Sequence, residues 1–389
     1  MSLQDGVRYF VEEKRMLACL SVSCGDAHHA AQAVGGVMDL AGRPLADDAL
    51  FDLASLTKLF TALTILRLRE EGLLALERPV TAYAPQFRHL QGLTVDQLLG
   101  FETGLVTPQR VDAQKTREAG LLQLADIRVA PQPNRAYSDM HSMVLRYVAE
   151  GAAGASLMDS IRRYILEPLG MRDTFACVPE ELRSRCVSCD REHRIEGERY
   201  VLRAGVAPGT PHDPKAALLQ QGDELCGHAG LFSTRDDMVR LCQGVLQGRV
   251  VSDESLRYMA RNRTGRPLSG GGFTQYLGCQ CFVKHPDQYF SEIPAYMGER
   301  AVGLSGFTGH HLSIDPERGI FALFLGDRVL NRLTVLLPAP GRSRTDYGLA
   351  EDGSGFVRWT DGSRIASSVD YVHHKDAHLH AQVARQLGL

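Results

Sequence analysis

The sequence predicts an α/β chain with an all-α insertion: an antiparallel sheet flanked by helices, with a helical domain set into it. Three observations carry this. Apolar strand runs open the chain at Leu17–Ser23 and Ala31–Met38. A long middle stretch, about 73–240, reads as helices and loops. Strand signals then return after 270, and a last helix closes the chain from Asp370 to Leu389. An order of strands, helices, strands and helix places one sheet at both chain ends. The expected division is 1–58 with 245–389 as the α/β domain and 59–244 as the mainly helical domain.

The elements follow in order. Residues 5–16 form a short amphipathic helix. The two strand runs make a hairpin with its turn at Gly25-Asp26, and Leu50–Leu53 leads into the next helix. Leu76–Tyr83 is a loop. Thr94 is a candidate N-cap for a helix over Val95–Leu99. Ser142–Glu150 and Ser156–Ile165 are further helices, the second ended by Pro168-Leu169-Gly170-Met171, and Thr234–Leu246 is another. Phe273–Val283, Arg300–Leu304, His310–Ile314 and Gly319–Leu325 are strands between Gly or Pro-Glu-Arg turns. Leu337–Ser368, with the single Trp359, is rich in Gly, Pro and charge. It reads as an insertion of loops and a small hairpin, placed either over the cleft or at a dimer contact.

At 389 residues, 44% hydrophobic and 23% charged, the chain has the composition of a globular protein with one large composite or two domains. Its net charge of −3 and the lack of basic clusters with interleaved aromatics argue against nucleic acid or an anionic membrane as partner. The start, MSLQDGVRYFVEEKRMLACL, has no basic segment followed by a long apolar run, so a cytoplasmic location is expected. The nine cysteines are read as reduced thiols. Cys186-x-x-Cys189 lacks a second close pair, and no metal is expected there.

The stretch Phe51–Gly72, FDLASLTKLFTALTILRLREEG, is apolar almost all round after Ser55 and ends at a helix-stopping glycine. Ser55 and Lys58 are three residues apart, on one helix face. A serine hydroxyl needs a neighbouring base to become a nucleophile. A lysine buried among apolar groups is driven toward its neutral amine and can serve as that base. The helix N-terminus and its free N–H groups suit an oxyanion beside Ser55. With 6 Lys and 22 Ser in the chain, a chance Ser-x-x-Lys is common, but this is the single instance. Arg supplies 37 of the 43 basic residues, so a lysine in an apolar helix is a marked choice.

A second element is Tyr137-Ser138-Asp139, approached by Pro131-Gln132-Pro133-Asn134-Arg135. A phenol beside a lysine can pass protons between nucleophile and leaving group; packing at a helix start is the plainer alternative for Tyr137. With these motifs in place, the chain resembles the serine β-lactamase and penicillin-binding protein superfamily, in its class C-like branch of esterases and D-amino-acid peptidases. FDLASLTK is similar to that branch's nucleophile motif and Tyr137-Ser138-Asp139 to its Tyr-x-Asn motif. Glu167–Phe175, Gly227–Asp237, His212-Asp213, Gly306–Gly309 and Ile314–Arg318 resemble further segments of it, in order, over nearly the whole chain. The resemblance implies a β-lactamase/transpeptidase-like fold, Ser55 as acylated nucleophile, Lys58 as its base partner and Tyr137 as second proton shuttle. It also implies an oxyanion hole from the N–H groups of Ser55 and Phe307, with Ser305, Gly306 and Asp139 lining the substrate site.

Two departures bear on substrate. Leu304-Ser305-Gly306 stands where the family has Lys-Thr-Gly or His-Thr-Gly, so a cation or imidazole for a substrate carboxylate is missing. Leu99-Gly-Phe-Glu-Thr-Gly-Leu105 stands where relatives have Leu-Thr-His-Thr-Ser-Gly-Leu. His310 or His311 could replace the lost charge; surface placement on alternating strand faces is the plainer expectation. His228, in Gly-His-Ala-Gly, is either a cleft-lining donor near the leaving group or a loop histidine held by backbone. His374 and His378 have ligand spacing, but a solvated or domain-facing helix is expected there instead of a metal. Met140 and Met143 are expected in the core or pocket wall.

The leading expectation is a serine hydrolase acting through an acyl-enzyme on Ser55, on ester or amide bonds of small substrates, with no cofactor. An acyltransferase using the same acyl-enzyme is the second reading. D-alanyl carboxypeptidase or β-lactamase activity is set lower because of Leu304, and a non-catalytic ligand binder is the remaining alternative.

Overall fold

The computed structural model describes residues 2–131, 136–287, 292–358 and 362–389. Part of the Pro-rich approach to Tyr137 (132–135) and Trp359 lie outside the described residues. The main sheet has six antiparallel strands in the order Phe282–Val283, Val302–Gly306, His310–Asp315, Ile320–Gly326, Cys19–Asp26, Ala30–Gly36. Both chain ends therefore supply it, as the order of elements predicts. The N-terminal hairpin turns just beyond Asp26, whose carboxylate accepts the His28 and His29 N–H groups at 2.7 and 2.8 Å.

Both faces of the sheet are covered, which is why its inner strands are buried along almost their whole length instead of on alternate residues. Leu20, Val22, Ala322 and Phe324 pack on one side with Phe10, Tyr371, Leu379 and Val383 from the terminal helices. Phe321, Leu323 and Leu325 face the other core, which holds the central helix. That helix spans Thr57–Glu70 after a 3₁₀ turn at Ala54–Leu56. It is buried on every side, with Thr57 through Leu66 all buried. Gly72 at φ 72° ends it in the left-handed conformation that glycine adopts without strain. Helix Asp139–Ala153 packs against it. Thr94 caps Val95–Leu99 in a capping box with Gln97, as its position predicts.

A second sheet orders Phe356–Arg358, Arg364–Ser367, Arg332–Leu337, Glu192–Glu196 and Arg199–Arg203. The small hairpin expected within Leu337–Ser368 is present as Phe356–Arg358 against Arg364–Ser367. It is tied through Arg332–Leu337 to a second hairpin, Glu192–Arg203, set in the stretch read as helices and loops. A separate core of Ile195, Leu333, Leu336, Leu349, Val357 and Ile365 holds this sheet together.

Two expectations are corrected. The strand over Phe273–Val283 is reduced to Phe282–Val283. Before it the segment makes only isolated bridges, Phe273 to Pro267 and Leu277 to Phe282, and Gly278 packs so closely on the end of helix Asp253–Met259 that a Cβ would stand 2.2 Å from the Met259 carbonyl. His310 and His311 are not on the surface; they are 1% and 0% exposed because both faces of their strand are covered. The closing helix faces the core, one of the two placements expected for it. It runs Tyr371–His374, a π turn over Lys375–Leu379, then His380–Gln386, and buries Tyr371, Lys375, Leu379 and Val383. His374 bonds Tyr9 Oη at 2.7 Å. All nine cysteines are free thiols.

Candidate active site

The nucleophile position is built by strain and a short ladder. Phe51–Asp52 pairs with Phe232–Ser233, and the Leu53 N–H donates to the Leu231 carbonyl at 2.9 Å. Ala54 then adopts φ 46°, a conformation that costs a non-glycine residue about 1–3 kcal/mol. The buried Asp52 carboxylate holds it by accepting the Ala54 N–H at 3.0 Å. This kink sets Ser55 at the floor of a cleft of about 570 Å³. The cleft is also lined by Tyr137, Asp139, Ser305, Gly306 and Phe307, so six of the expected site residues meet there.

Lys58 Nζ lies 2.9 Å from Ser55 Oγ, 2.8 Å from Asp139 Oδ1 and 3.2 Å from the His228 carbonyl. An ammonium has three protons, and here each has an acceptor. The expectation of a neutral resting amine is corrected by this count. Burial pulls the Lys58 pKa down, but the Asp139 carboxylate and the Tyr137 phenol raise it further, so the net shift is upward. Asp139 is accordingly the charge partner of Lys58. Its own pKa is lowered: burial opposes ionisation, and Lys58, His228 and Lys215 outweigh it.

The network continues away from the cleft floor. Lys215 Nζ bridges Asp139 Oδ2 at 3.0 Å and Asp213 Oδ2 at 3.4 Å. Asp213 caps the helix Pro214–Leu219 and pairs with His228 Nε2 at 2.9 Å. His228 is fully buried and does not line the cleft, so its expected contact with substrate is corrected; its ring braces Asp213 and its carbonyl braces Lys58. Asp139, Asp213 and His228 could in geometry surround a cation. Their carboxylates already face the two lysine ammonium groups, so the donor set does not fit a metal.

Tyr137 is clamped between Phe101 and Phe282, with ring centroids 5.6 Å away on each side. Lys58 Nζ stands 4.8 Å from its ring centre. The buried Tyr137 hydroxyl makes no hydrogen bond among the described residues, which is unusual for a phenol in a core. Its pKa is raised: burial pushes it up, and Lys58 offsets only part. Ser138 caps the helix Asp139–Ala153 by accepting the Met140 N–H, so the Tyr-Ser-Asp motif delivers a ring, a cap and a charge in three residues. Met143 is buried and Met140 packs at the edge of the same core, as expected.

Strand Val302–Gly306 carries the opposite wall. Its register ends at Gly306–His310, so Phe307 stands past the ladder in a turn closed by Gly309 N–H to Gly306 carbonyl at 3.0 Å. A Cβ at Gly306 would meet the Leu53 carbonyl at 2.8 Å, so only glycine lets the strand approach the nucleophile turn this closely. Leu304 is fully buried. Ser305 Oγ donates to Glu292 at 2.6 Å, and Glu292 in turn meets Lys375 Nζ at 3.4 Å. The Glu292 pKa is lowered: burial opposes this, but Lys375, His311 and Ser305 prevail. Neither His310 nor His311 replaces the missing cation, because burial pulls both down to about 4 and leaves them neutral.

Sequence reasoning missed Lys215, Glu292, Lys375 and the hairpin residues Glu192, Arg194 and Arg203 that also line or brace the cleft. A signal existed for the hairpin: Glu192–Arg203 is centred on Gly197, which takes φ 64°. In the histidine-rich closing helix, the residues that reach the site are Val372, which lines the cleft, and Lys375, which meets Glu292 behind it.

A sheet fed by both chain ends, with a buried helix presenting serine and lysine to a cleft beneath it, defines a β-lactamase/transpeptidase-like fold. Solved structures share it. EstCE1, described as a hydrolase with promiscuous acyltransferase activity, superposes with a TM-score of 0.65 at 20% identity over 83% of this chain and 92% of its own. A class C beta lactamase from Rhodobacter sphaeroides superposes with a TM-score of 0.62 at 19% identity over 84% of this chain and 94% of its own. The Beta-lactamase family model matches residues 11–333, and the chain belongs to that family of serine hydrolases and their relatives. Among curated proteins, esterase EstB of Burkholderia gladioli is 27% identical over 354 residues, covering 81% of this chain and 87% of the esterase. No helix among the described residues is long and apolar enough to cross a membrane.

Proposed function

We propose that the protein is a serine hydrolase that cleaves ester or amide bonds of small substrates through an acyl-enzyme on Ser55. The observation that carries this is the Ser55 Oγ–Lys58 Nζ contact of 2.9 Å on the cleft floor, with the unpaired Tyr137 hydroxyl beside it. In the resting state Lys58 is an ammonium and Tyr137 a neutral phenol. The reactive form has lost one proton from this pair, and the pair takes the Ser55 proton as Oγ attacks the carbonyl. The same proton goes to the leaving group, and water then attacks the acyl-enzyme by the reverse route. The Ser55 and Phe307 N–H groups are the proposed oxyanion donors. Glu292 beneath Ser305 disfavours a substrate carboxylate at that point of the strand, which supports an esterase over a β-lactamase or D-alanyl carboxypeptidase.

The test is hydrolysis of a short p-nitrophenyl ester by wild type and Ser55→Ala. Loss of all but a trace of turnover in the variant is expected, and full activity would remove the proposal. Transfer to an alcohol is the second reading, suggested by the promiscuous acyltransferase activity ascribed to EstCE1. Product analysis with added alcohol distinguishes it, since hydrolysis alone at every alcohol concentration counts against transfer. The division into 1–58 with 245–389 and 59–244 is also proposed, with hairpin Glu192–Arg203 assigned to the former because it pairs with Arg332–Leu337.

A further inference from the structure

The two ends of the strand wall differ in charge. At Ser305 the ionised Glu292 lies directly against the strand hydroxyl. Past Phe307 stand two guanidinium groups, Arg328 and Arg203, both lining the cleft. Arg328 follows strand Ile320–Gly326, and its N–H donates to the Thr308 carbonyl at 2.8 Å, which ties it to the turn carrying Phe307. Its Cζ lies 5.3 Å from the centre of the Phe307 ring. The other face of the turn meets His212, stacked on Phe307 at 5.5 Å and 10°. Arg203 donates to the His212 carbonyl.

These two arginines differ from the cleft's other cations. Arg110 pairs with Asp112, Arg194 with Glu196, and Lys58 and Lys215 with Asp139. Among the described residues neither Arg328 nor Arg203 has a carboxylate within ion-pair distance. Arg328 spends Nη2 on the Thr334 carbonyl at 2.8 Å and Nε on Ser368 Oγ at 3.4 Å, both neutral oxygens. Glu192, across the hairpin from Arg203, gives its two oxygens to His212 at 3.1 Å and Thr334 at 2.5 Å and makes no ion pair with either arginine. A half-buried guanidinium with no counter-ion gives up hydration without a charged partner. Its planar fork matches a carboxylate in two parallel hydrogen bonds.

We infer that Arg328, assisted by Arg203, is a specificity-determining pair that binds a carboxylate on the substrate at the Phe307 end of the cleft. This rests on the acyl-enzyme reading of Ser55. The substrate class is thus an ester or amide bearing an anionic group, oriented with that group at Phe307 and a neutral or cationic part toward Glu292.

The test compares kcat/KM for mono-p-nitrophenyl glutarate with that for p-nitrophenyl pentanoate, and for the pentanoyl ester of 4-hydroxybenzoate with that of phenol. The first pair puts the carboxylate on the acyl group, the second on the leaving group. At least a tenfold preference for the anionic member of one pair is expected, carried by KM. That preference ratio falls at least tenfold in Arg328→Met, less in Arg203→Gln, and is partly kept in Arg328→Lys; general damage would lower both members alike. Independently of turnover, glutarate is expected to raise the Tm of wild type and Ser55→Ala but not of Arg328→Met. Failure of Ser55 acylation with a retained glutarate shift would sink the hydrolase reading alone. Equal kcat/KM within both pairs, or a glutarate shift unchanged in Arg328→Met, overturns the inference.

Discussion

Replacing Asp139 by asparagine should make the site's proton economy visible. The carboxylate lies 2.8 Å from a Lys58 ammonium that has no solvent contact, and it is what keeps that lysine charged against its burial. An opposite charge this close moves a pKa by about 1–3 units, or about 1.4–4 kcal/mol. With an amide in place of the carboxylate the charge is gone while an oxygen acceptor remains, so burial is opposed chiefly by the Tyr137 phenol and the Lys58 pKa falls. The reactive form is the deprotonated one, and its fraction below the pKa grows tenfold for each unit the pKa drops. In wild type, kcat/KM should therefore climb with pH to the top of the measurable range. In Asp139→Asn the ascending limb should sit at least one unit lower, because kcat/KM reports the free enzyme's groups. Initial rates on a neutral p-nitrophenyl ester from about pH 5.5 to about 10.5 measure this, with folding checked by circular dichroism at each pH. A limb that stays in place or moves upward would refute the reasoning that Asp139 sets the protonation state of Lys58.

Other changes report on separate links. Tyr137→Phe removes the one unpaired hydroxyl at the nucleophile while keeping the Phe101–Tyr137–Phe282 stack, so kcat should fall roughly 10²–10⁴-fold with Tm nearly unchanged; an activity loss matched by a large Tm loss would point to packing instead. Asp327 is buried, accepts two backbone N–H groups and leaves its other oxygen without a partner. Burial raises its pKa from 3.8 to about 6, so the folded state holds a proton that the unfolded chain releases, and stability falls as pH rises between those values. Asp327→Asn should therefore gain on wild type by about 1–3 kcal/mol between about pH 4 and about pH 8 in denaturant unfolding; a gap independent of pH would contradict the assignment. Gly151 lies in helix Asp139–Ala153, where alanine is intrinsically better by about 1 kcal/mol. A Cβ there would stand 1.9 Å from the Tyr83 carbonyl, so Gly151→Ala should instead lower stability by about 1–3 kcal/mol, and a Tm increase would show that the two segments separate easily.

The parts of this structure legible in the sequence are those fixed by local pattern. The apolar circumference of Leu59–Leu68 announces a buried helix, and Thr94 announces a helix start, because each signal lies within a few residues. Ser55, Lys58 and Tyr137 are nameable from their motifs, and the structure brings all three into contact distance of one cleft. The charge state of Lys58 is not legible: it depends on Asp139, 81 residues away, whose carboxylate reverses what burial alone would do. The same holds for Ser305. Its spacing in Leu-Ser-Gly gives a cleft-facing hydroxyl, but the acid that claims it comes from Glu292 and the lysine behind that acid from the closing helix. His310 and His311 alternate on a strand, and alternation says nothing about whether the second face is covered. The Glu192–Arg203 hairpin escapes for another reason. Its strands are short and mix Ile195, Tyr200, Val201 and Leu202 with charged residues, and the strand it pairs with in parallel, Arg332–Leu337, comes more than a hundred residues later.

The most direct test of the central claim is intact-protein mass spectrometry during turnover of a slow ester. Rapid acid quench in the first seconds should show wild type heavier by the acyl group, with peptide mapping placing that mass on Ser55. Ser55→Ala should show none, and Lys58→Ala should acylate far more slowly. An acyl adduct on another residue, or ester cleavage by wild type with no adduct and undiminished in Ser55→Ala, would contradict the account.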